Sequence, residues 1–552
     1  MKTIYKILPL AAILLASCND TLTENPDSYY ERDDFFTTEA KAEMAVLGIY
    51  NVLADIYADK DGMATPCSDD TYYINGTTSD DGQRDLAHYS IRATNGLIEA
   101  VWAGKYSGIN RANYTISGIE SMRGWQTNRK LLRLLGEAKF LRAQAAFDLA
   151  RYWGDVPFKT IHTDGYDEAY GRRVGREEIY ARIISDLDFA KENLPWADET
   201  GTPERAGQGA ARALLMRVLL TRAGYSLQAD GTTTRPSAKV RRECFEKAVA
   251  EWNAFEAKGY HDFYPQGYTE LFKGFSAGKL DTKESLFEVA FLDEKTKGVW
   301  GTRNGPLVAA PQVSPSESGS YMGRANAMYR VVPEWRGFFA NGDERRDVMV
   351  CNYSYSWDAG IKNHKKTEQK NTRNWYPGKW RREWMPLGYF DPNRTSVNFC
   401  MLRYADVVLM AAEAFNELGD TPTAWELINR VRARAGAPAV ADNAGYKAAY
   451  KAPKVYDLPY IQDSDEAGKV RTALYWERGF ELAFEGQRKF DLIRWGCLGD
   501  ALKLFSDRTE ARIRENYVAG SHFVKGKHEL FPIPLDELQV NPYLNGVNNP
   551  GY

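Results

Sequence analysis

The chain has 552 residues, a net charge of −3 and no run of four consecutive Lys or Arg residues. Nothing in it would displace many counterions from a phosphate backbone, which excludes nucleic acid as a partner. Past the first residues no stretch of 18 uninterrupted apolar residues occurs, so no membrane-spanning helix is predicted, while the length suffices for a large buried core.

The N-terminus carries Lys2 and Lys6, then the apolar run Ile7 to Ala16, then Leu15-Ala16-Ser17-Cys18. A positive region, a short apolar core and small residues before a cut describe an export signal, and that core is too short to persist as a spanning helix. A cysteine after Leu-Ala-Ser resembles the acylation site of bacterial lipoproteins. Residues 1–17 are therefore expected to be removed and Cys18 to be lipidated. One acyl chain anchors only marginally, so stable attachment needs several. Residues 18–30, with Asp20, Glu24 and Asp27, read as a polar, acidic tether, and 31–552 as one domain.

From Thr38 to Tyr57, Ala42, Ala45, Ile49, Leu53 and Ile56 recur at steps of three and four, behind a threonine cap. The same spacing predicts helices over Ile98–Ile116 and over Leu131–Tyr152, the second stopped by Gly154-Asp155-Val156-Pro157. Further helices are expected over Arg176–Asn193, Ala210–Ala223, Cys244–Lys258, Leu402–Leu418, Pro422–Ala435 and Ala473–Trp495. Only Gly419-Asp420-Thr421 joins Leu402–Leu418 to the next helix, so the pair must fold back as a hairpin. Small residues at its approach, Ala411, Ala412, Ala414 and Ala424, look like one tetratricopeptide-type unit. The expectation is a mainly α chain, with paired helices as scaffold over 31–260 and 399–552.

Residues 261–398 read differently. Glu284–Phe291 reads as a strand, but the remainder is irregular and loop-rich, with few short strands. It sets Trp300, Tyr321, Tyr353, Tyr355, Trp357, Trp375 and Trp380 among Gly, Asn, Pro and charged residues. Long loops in a folded chain are usually functional or disordered, and aromatic residues at this density argue against disorder.

Several segments carry a resemblance. Gly136-Glu137-Ala138-Lys139-Phe140-Leu141-Arg142-Ala143, continuing to Tyr152-Trp153-Gly154-Asp155-Val156-Pro157-Phe158, resembles the helix-and-exit motif of the SusD/RagB family of surface nutrient-binding lipoproteins. Arg205 to Leu215, Arg403 to Ala414 and Leu427 to Gly436 are similar to further blocks of that family, in its order. The most specific match is Trp476-Glu477-Arg478-Gly479-Phe480-Glu481-Leu482-Ala483-Phe484-Glu485-Gly486-Gln487-Arg488, running on to Trp495. The tail His528 to Pro534, ending Asn548-Asn549-Pro550-Gly551-Tyr552, fits as well. Gly479 departs from the pattern, since the family more often has arginine there and a glycine inside a helix costs about 1 kcal/mol against alanine. The resemblance implies a SusD-like fold in which tetratricopeptide-like helix pairs carry an irregular ligand-binding half, without catalysis. It also implies a place on the outer face of the outer membrane, as a lid over a TonB-dependent, SusC-like β-barrel transporter, capturing glycans or, in some members, peptides.

The residues themselves offer little for catalysis. Glu477, Glu481 and Glu485 stand four apart on one helix face, where they cannot flank a glycosidic bond alone. With Arg478, Arg488 and Arg494 nearby they read as structural ion pairs. The six histidines show no metal-ligand spacing, and no Gly-x-Ser-x-Gly or glycine-rich phosphate loop appears, so neither metal nor cofactor is expected. Cys67, Cys244, Cys351, Cys400 and Cys497 are far apart and odd in number, which reads as buried small residues and gives no disulfide framework.

Sugars present apolar C–H faces and rings of hydroxyls, so their pockets need flat aromatic platforms beside hydrogen-bonding side chains. Candidates for such a site are Tyr72, Tyr73 and Asp81 in the loop 67–84, and Trp300, Asn304, Tyr321, Arg324 and Trp375 in the irregular half. The leading expectation is an oligosaccharide receptor. Its rivals are a peptide-capturing RagB-like receptor, a surface glycoside hydrolase and a scaffold with protein partners only.

Overall fold

The computed structural model describes residues 35–59, 68–291, 298–388, 394–449 and 465–552. The export signal, Cys18, the tether and Cys67 lie outside the described residues. The architecture is mainly α, as expected.

Helix α1 (Glu39–Asp59) is followed by α2 (Gly96–Ser121), α3 (Arg129–Trp153), α4 (Arg176–Asn193), α5 (Gln208–Ala223) and α6 (Ala238–Lys258). Each packs on the next in sequence. Helix α3 shows why. Its start is fixed by Asn128, whose side chain accepts from the N–H groups of Lys130 and Leu131, and it ends at Gly154, where φ is 76°. Leu131, Leu134, Ala138, Leu141, Ala145 and Leu149 are buried along one stripe. Two buried charged groups on other faces of α3 reach neighbouring helices. Arg142 forks onto Asp186 of α4 at 2.8 and 2.7 Å, and Asp148 accepts from Lys105 of α2 at 2.6 Å and from Tyr57 of α1 at 2.9 Å. Four helices are thus tied by two charge-assisted sets.

The late helices extend this stack. Helices α7 (Tyr404–Glu417) and α8 (Thr421–Arg434) form the expected hairpin, capped at its turn by Asp420 accepting from Thr423 N–H. Helix α7 also packs on α6 and on α9 (Glu466–Leu482). Two expectations need correction. Leu402 and Arg403 belong to a strand, Phe399–Arg403, because it pairs antiparallel with the strand Ser285–Val289. The helix expected over Ala473–Trp495 is two, α9 and α10 (Arg488–Arg494), followed by α11 (Leu498–Arg508). The break falls where Phe484 and Gly486 take φ of 64° and 78°, outside the helical region.

The main apolar core draws residues from Phe36 to Leu544, and includes Phe287, Trp300, Trp335 and Trp380 from the irregular half. A second tie between halves is ionic. Arg345 and Lys379 of the irregular half meet Glu477, Glu481 and Glu485. Arg403 bonds Glu284 at 2.7 Å, Glu481 at 2.7 Å and Glu485 at 2.9 Å. Arg432 bonds Glu477, Arg434 bonds Glu481, and Asp343 forks onto Arg345. Burial alone would raise the Glu481 carboxyl, but Arg434, Arg403 and Arg345 hold it down at about 2. Burial lowers Lys379 to about 8 against the pull of Glu485. The acidic row is therefore structural, as read, but its partners differ from those expected. Arg478 pairs with Asp406 and Asp491, Arg488 with Asp69, and Arg494 with Glu413 and Asp491.

Gly479 has a reason of its own. A Cβ there would lie 2.5 Å from Cη2 and 2.7 Å from Cζ3 of Trp335, so the missing side chain is filled by the indole. Cys244, Cys351, Cys400 and Cys497 are buried free thiols. Among the described residues no helix is long and apolar enough to cross a membrane.

Candidate functional site

The sequence-predicted site residues do not converge on one surface. Tyr72 and Tyr73 lie buried on a short strand paired with Tyr329–Val331, Tyr72 against Tyr517 and Tyr73 against Tyr329. Trp300 is buried, stacked on Phe399 with centroids 4.6 Å apart and flanked by Trp380 at 5.0 Å. Asn304 is wholly enclosed and its amide has no hydrogen-bond partner. Those four present no face to a ligand in this conformation, because residues distant in sequence cover them. Asp81 is exposed on a tight loop with φ of 49°. Trp375 is half-buried, its Nε1 donating to the Gln369 carbonyl at 2.8 Å. Tyr321 is part-exposed and Arg324 exposed.

Tyr321 belongs to an aromatic group whose other members come from a β-hairpin, Tyr353–Asp358 paired with Asn363–Glu368. Its register sets Trp357 opposite His364, Tyr355 opposite Lys366 and Tyr353 opposite Glu368. Side chains alternate across a strand, so these six share one face. Tyr321 meets Trp357 edge-on at 5.1 Å and 84°, and Trp357 meets His364 at 5.2 Å and 84°. Lys366 Nζ lies 3.5 Å from the centre of the Tyr353 ring. Arg381 Nη1 donates to the Tyr353 hydroxyl at 2.6 Å, and that hydroxyl donates to Glu383. Burial, and for Tyr355 the Glu383 hydrogen bond as well, pushes both phenols above the ordinary range, so they stay neutral donors.

The face is held by backbone. Tyr355 N–H donates to Leu307 and Ala309 N–H to Tyr355, both at 2.9 Å. Val308 in turn exchanges hydrogen bonds with Ala325, the residue after Arg324, and Gly388 N–H donates to the Tyr321 carbonyl at 2.8 Å. Lys366 and Glu368 on it are exposed, as are Leu307, Arg324 and Leu387 around it, so it opens to solvent. The missed members, Trp357 and His364, had a signal. Tyr-Ser-Tyr-Ser-Trp alternates with period two and runs into Asp358-Ala359-Gly360, which is a hairpin pattern.

A second concavity of about 390 Å³ lies between α2 and the segment 157–170, lined by Trp102, Tyr106, Tyr170, Asn110 and Glu537 among others. Its composition suits a sugar, but several of its polar groups are engaged. The Tyr106 hydroxyl donates to the Pro157 carbonyl, Asn110 accepts from Thr163 N–H, and the Asn113 amide spans Lys159 and Ile161. The hairpin face is the better candidate.

Two family profiles match the chain, one described as "SusD family" over residues 283–552 and one as "Starch-binding associating with outer membrane" over residues 20–220. The chain belongs to the SusD family. A SusD-like protein, P25, of Formosa agariphila is 24% identical over 97% of each chain. A SusD homolog from Bacteroides thetaiotaomicron superposes with a TM-score of 0.77 at 26% identity, over 94% of this chain and 98% of that one. Surface glycan-binding protein A from Bacteroides thetaiotaomicron, solved in complex with laminarihexaose, superposes at 0.67 with 17% identity, over 93% of this chain and 100% of that one. The SusD-like fold expected from the sequence is thus observed.

Proposed function

We propose that this SusD-family chain is a cell-surface lipoprotein that binds an oligosaccharide on the Tyr321–Trp357 face and delivers it, unaltered, to a TonB-dependent outer-membrane transporter. The observation that carries the reading is the aromatic pair itself. Tyr321 and Trp357 are part-exposed apolar surfaces that a sugar's C–H face can cover, while Arg324, Lys366 and Glu368 supply donors and acceptors at the rim. That a SusD-like neighbour of the same fold was solved with laminarihexaose supports a glycan over other ligands. Anchoring through Cys18 would place the face outside the cell, tethered within reach of the transporter.

The non-catalytic reading has its own support, since Glu477, Glu481 and Glu485 are all committed to buried ion pairs. Isothermal titration of the mature chain with a panel of oligosaccharides and of peptides tests the proposal. Saturable binding of one glycan class is expected, with about a tenfold loss in Trp357→Ala, which is about 1.4 kcal/mol and near the top of the ~0.5–1.5 kcal/mol that an aromatic contact supplies. Binding of peptides alone, product release from the glycan, or full affinity in Trp357→Ala would each overturn it.

A further inference from the structure

The C-terminal end of α5 forms one wall of a pocket of about 280 Å³, floored by Phe245 and Trp495 and edged by Tyr225. Four arginines line it, Arg235, Arg241, Arg471 and Arg494, against only two carboxylates, Glu413 and Glu417. The carboxylates are unequally shared. Arg494 takes Glu413 through two donors, and Asp491 as well, so its charge is fully met. Trp495 Nε1 also donates to Glu413, at 3.2 Å, which fixes that carboxylate in place.

Glu417 must serve the rest. Arg471 Nε reaches it at 2.6 Å and Arg241 Nη2 at 3.4 Å. Arg235 has no carboxylate partner among the described residues. Its guanidinium lies 5.2 Å from the centre of the Tyr225 ring, at the pocket's edge. Among the carboxylates of the described residues, these three guanidinium groups thus share only Glu417. The C-termini of α5 and α7 point into this region, and each contributes roughly half a negative charge. Even counted in full, the two helix ends and Glu417 leave positive charge in excess. Burial is the largest effect that lowers Arg241, and repulsion from Arg235 acts in the same direction. A cleft of about 380 Å³ on the other side of Tyr225 adds Lys525, extending the cationic surface.

We infer that this pocket binds an oxyanion, a sulfate, phosphate or carboxylate group, held by Arg235 and Arg241 over the Glu417–Arg471 pair. Guanidinium donors in a fork match such a group, and the concave, half-desolvated setting strengthens the contact relative to bulk water. The site lies in the helical half and uses none of the residues of the Tyr321–Trp357 face. It stands or falls independently of the glycan reading.

Calorimetric titration of the mature chain at low ionic strength, with sodium sulfate, inorganic phosphate and sodium acetate in separate arms, tests the inference and ranks the three chemistries. One saturable site is expected, weakened about tenfold in Arg235→Gln and in Arg241→Gln. Added sodium chloride should also weaken it. Glu417→Gln should bind more tightly, because the competing carboxylate is gone, and Trp357→Ala should bind as the parent does. Arg235 is exposed on a loop, so Arg235→Gln is decisive even if Glu417→Gln misfolds. No saturable binding in any arm, or undiminished affinity in Arg235→Gln, would overturn the proposal.

Discussion

Gly479→Ala should destabilise the protein, although helix propensity alone predicts the reverse. Replacing glycine by alanine inside a helix is worth about 1 kcal/mol of stabilisation. Here the new Cβ would stand 2.5 Å from Trp335 Cη2, where ordinary contact begins at about 3.5 Å. The indole would have to retreat by about 1 Å to restore that contact, and it has nowhere to go. It is fully buried, stacked on Phe505 at 5.6 Å and 7°, with Phe480 edge-on at 5.9 Å and Trp476 at 5.5 Å. Its Nε1 donates to the Asp69 carbonyl at 3.0 Å, and Asp69 is itself clamped by Arg488 through two 2.8 Å bonds. Overpacking costs about 1–3 kcal/mol, and with the indole hemmed in the upper part of that range, about 2–3 kcal/mol, applies, which leaves a net loss of about 1–2 kcal/mol after the propensity gain. Denaturant unfolding of the parent, Gly479→Ala, Trp335→Phe and the double variant measures it as a cycle. In the Trp335→Phe background the smaller ring leaves room, and the alanine should turn neutral or stabilising. A Gly479→Ala protein as stable as the parent, or additive effects around the cycle, would refute the packing argument.

Three other outcomes follow from the buried charges and the hairpin face. Burial raises the Glu288 carboxyl to about 7 from 4.5, overcoming the Ser285 and Asn398 donors. A raised folded value means that its contribution is complete below about 4.5 and is lost as pH climbs through about 7, at up to about 1.4 kcal/mol per pH unit. Glu288→Gln should therefore gain on the parent in melting temperature between pH 5 and pH 8, and an unchanged gap would contradict the assignment. Arg403→Met removes the shared partner of Glu284, Glu481 and Glu485, which should cost about 3–5 kcal/mol in denaturant unfolding; a loss under about 1 kcal/mol would show the network to be dispensable. Trp357→Ala, in contrast, should lower glycan affinity while leaving the melting temperature within about 2 °C, as for a surface substitution that breaks no core contact.

The helices were legible because their apolar spacing is local information. Arg176–Asn193 begins and ends at the predicted residues, and the Thr421–Arg434 hairpin partner starts within one residue of its expected place. The failures share a cause. The break at Phe484 to Gly486 is masked by a Glu/Arg pattern that continues through it, although Gly486 is a helix-stop residue, and the bent segment holds Glu485 against Lys379 and Arg403. Leu402 and Arg403 look helical from their neighbours but pair with a strand more than a hundred residues earlier. Trp300 and Asn304 sit in a Gly- and Asn-rich stretch that reads the same whether covered or open, and the cover, Phe399 and Trp380, is remote in sequence. Tyr321 was named as a candidate and Trp357 was readable from strand alternation, yet their pairing was not, since nothing local joins a loop at 321 to a hairpin at 357.

The ties between the two halves bear on how the face could grip a ligand. Loops that must order on binding lose affinity to that cost, at about 0.5–1.5 kcal/mol for each rotamer-rich side chain immobilised. Here the irregular half is already fixed, from below by Arg345 and Lys379 reaching the scaffold's acidic row and by Trp335 seated on Gly479. Above that, the hairpin is fixed laterally by the Leu307–Ala309 and Ala325 hydrogen bonds. Trp357 is further pinned between Tyr321 and His364, whose Nε2 lies 2.8 Å from the Ala309 carbonyl oxygen. On the proposed reading, the indole would meet a sugar in a position set before binding. On that same reading, the glycine at 479 and the carboxylates at 477, 481 and 485 would contribute to recognition only through that rigidity, since they are taken up by packing on Trp335 and by buried ion pairs.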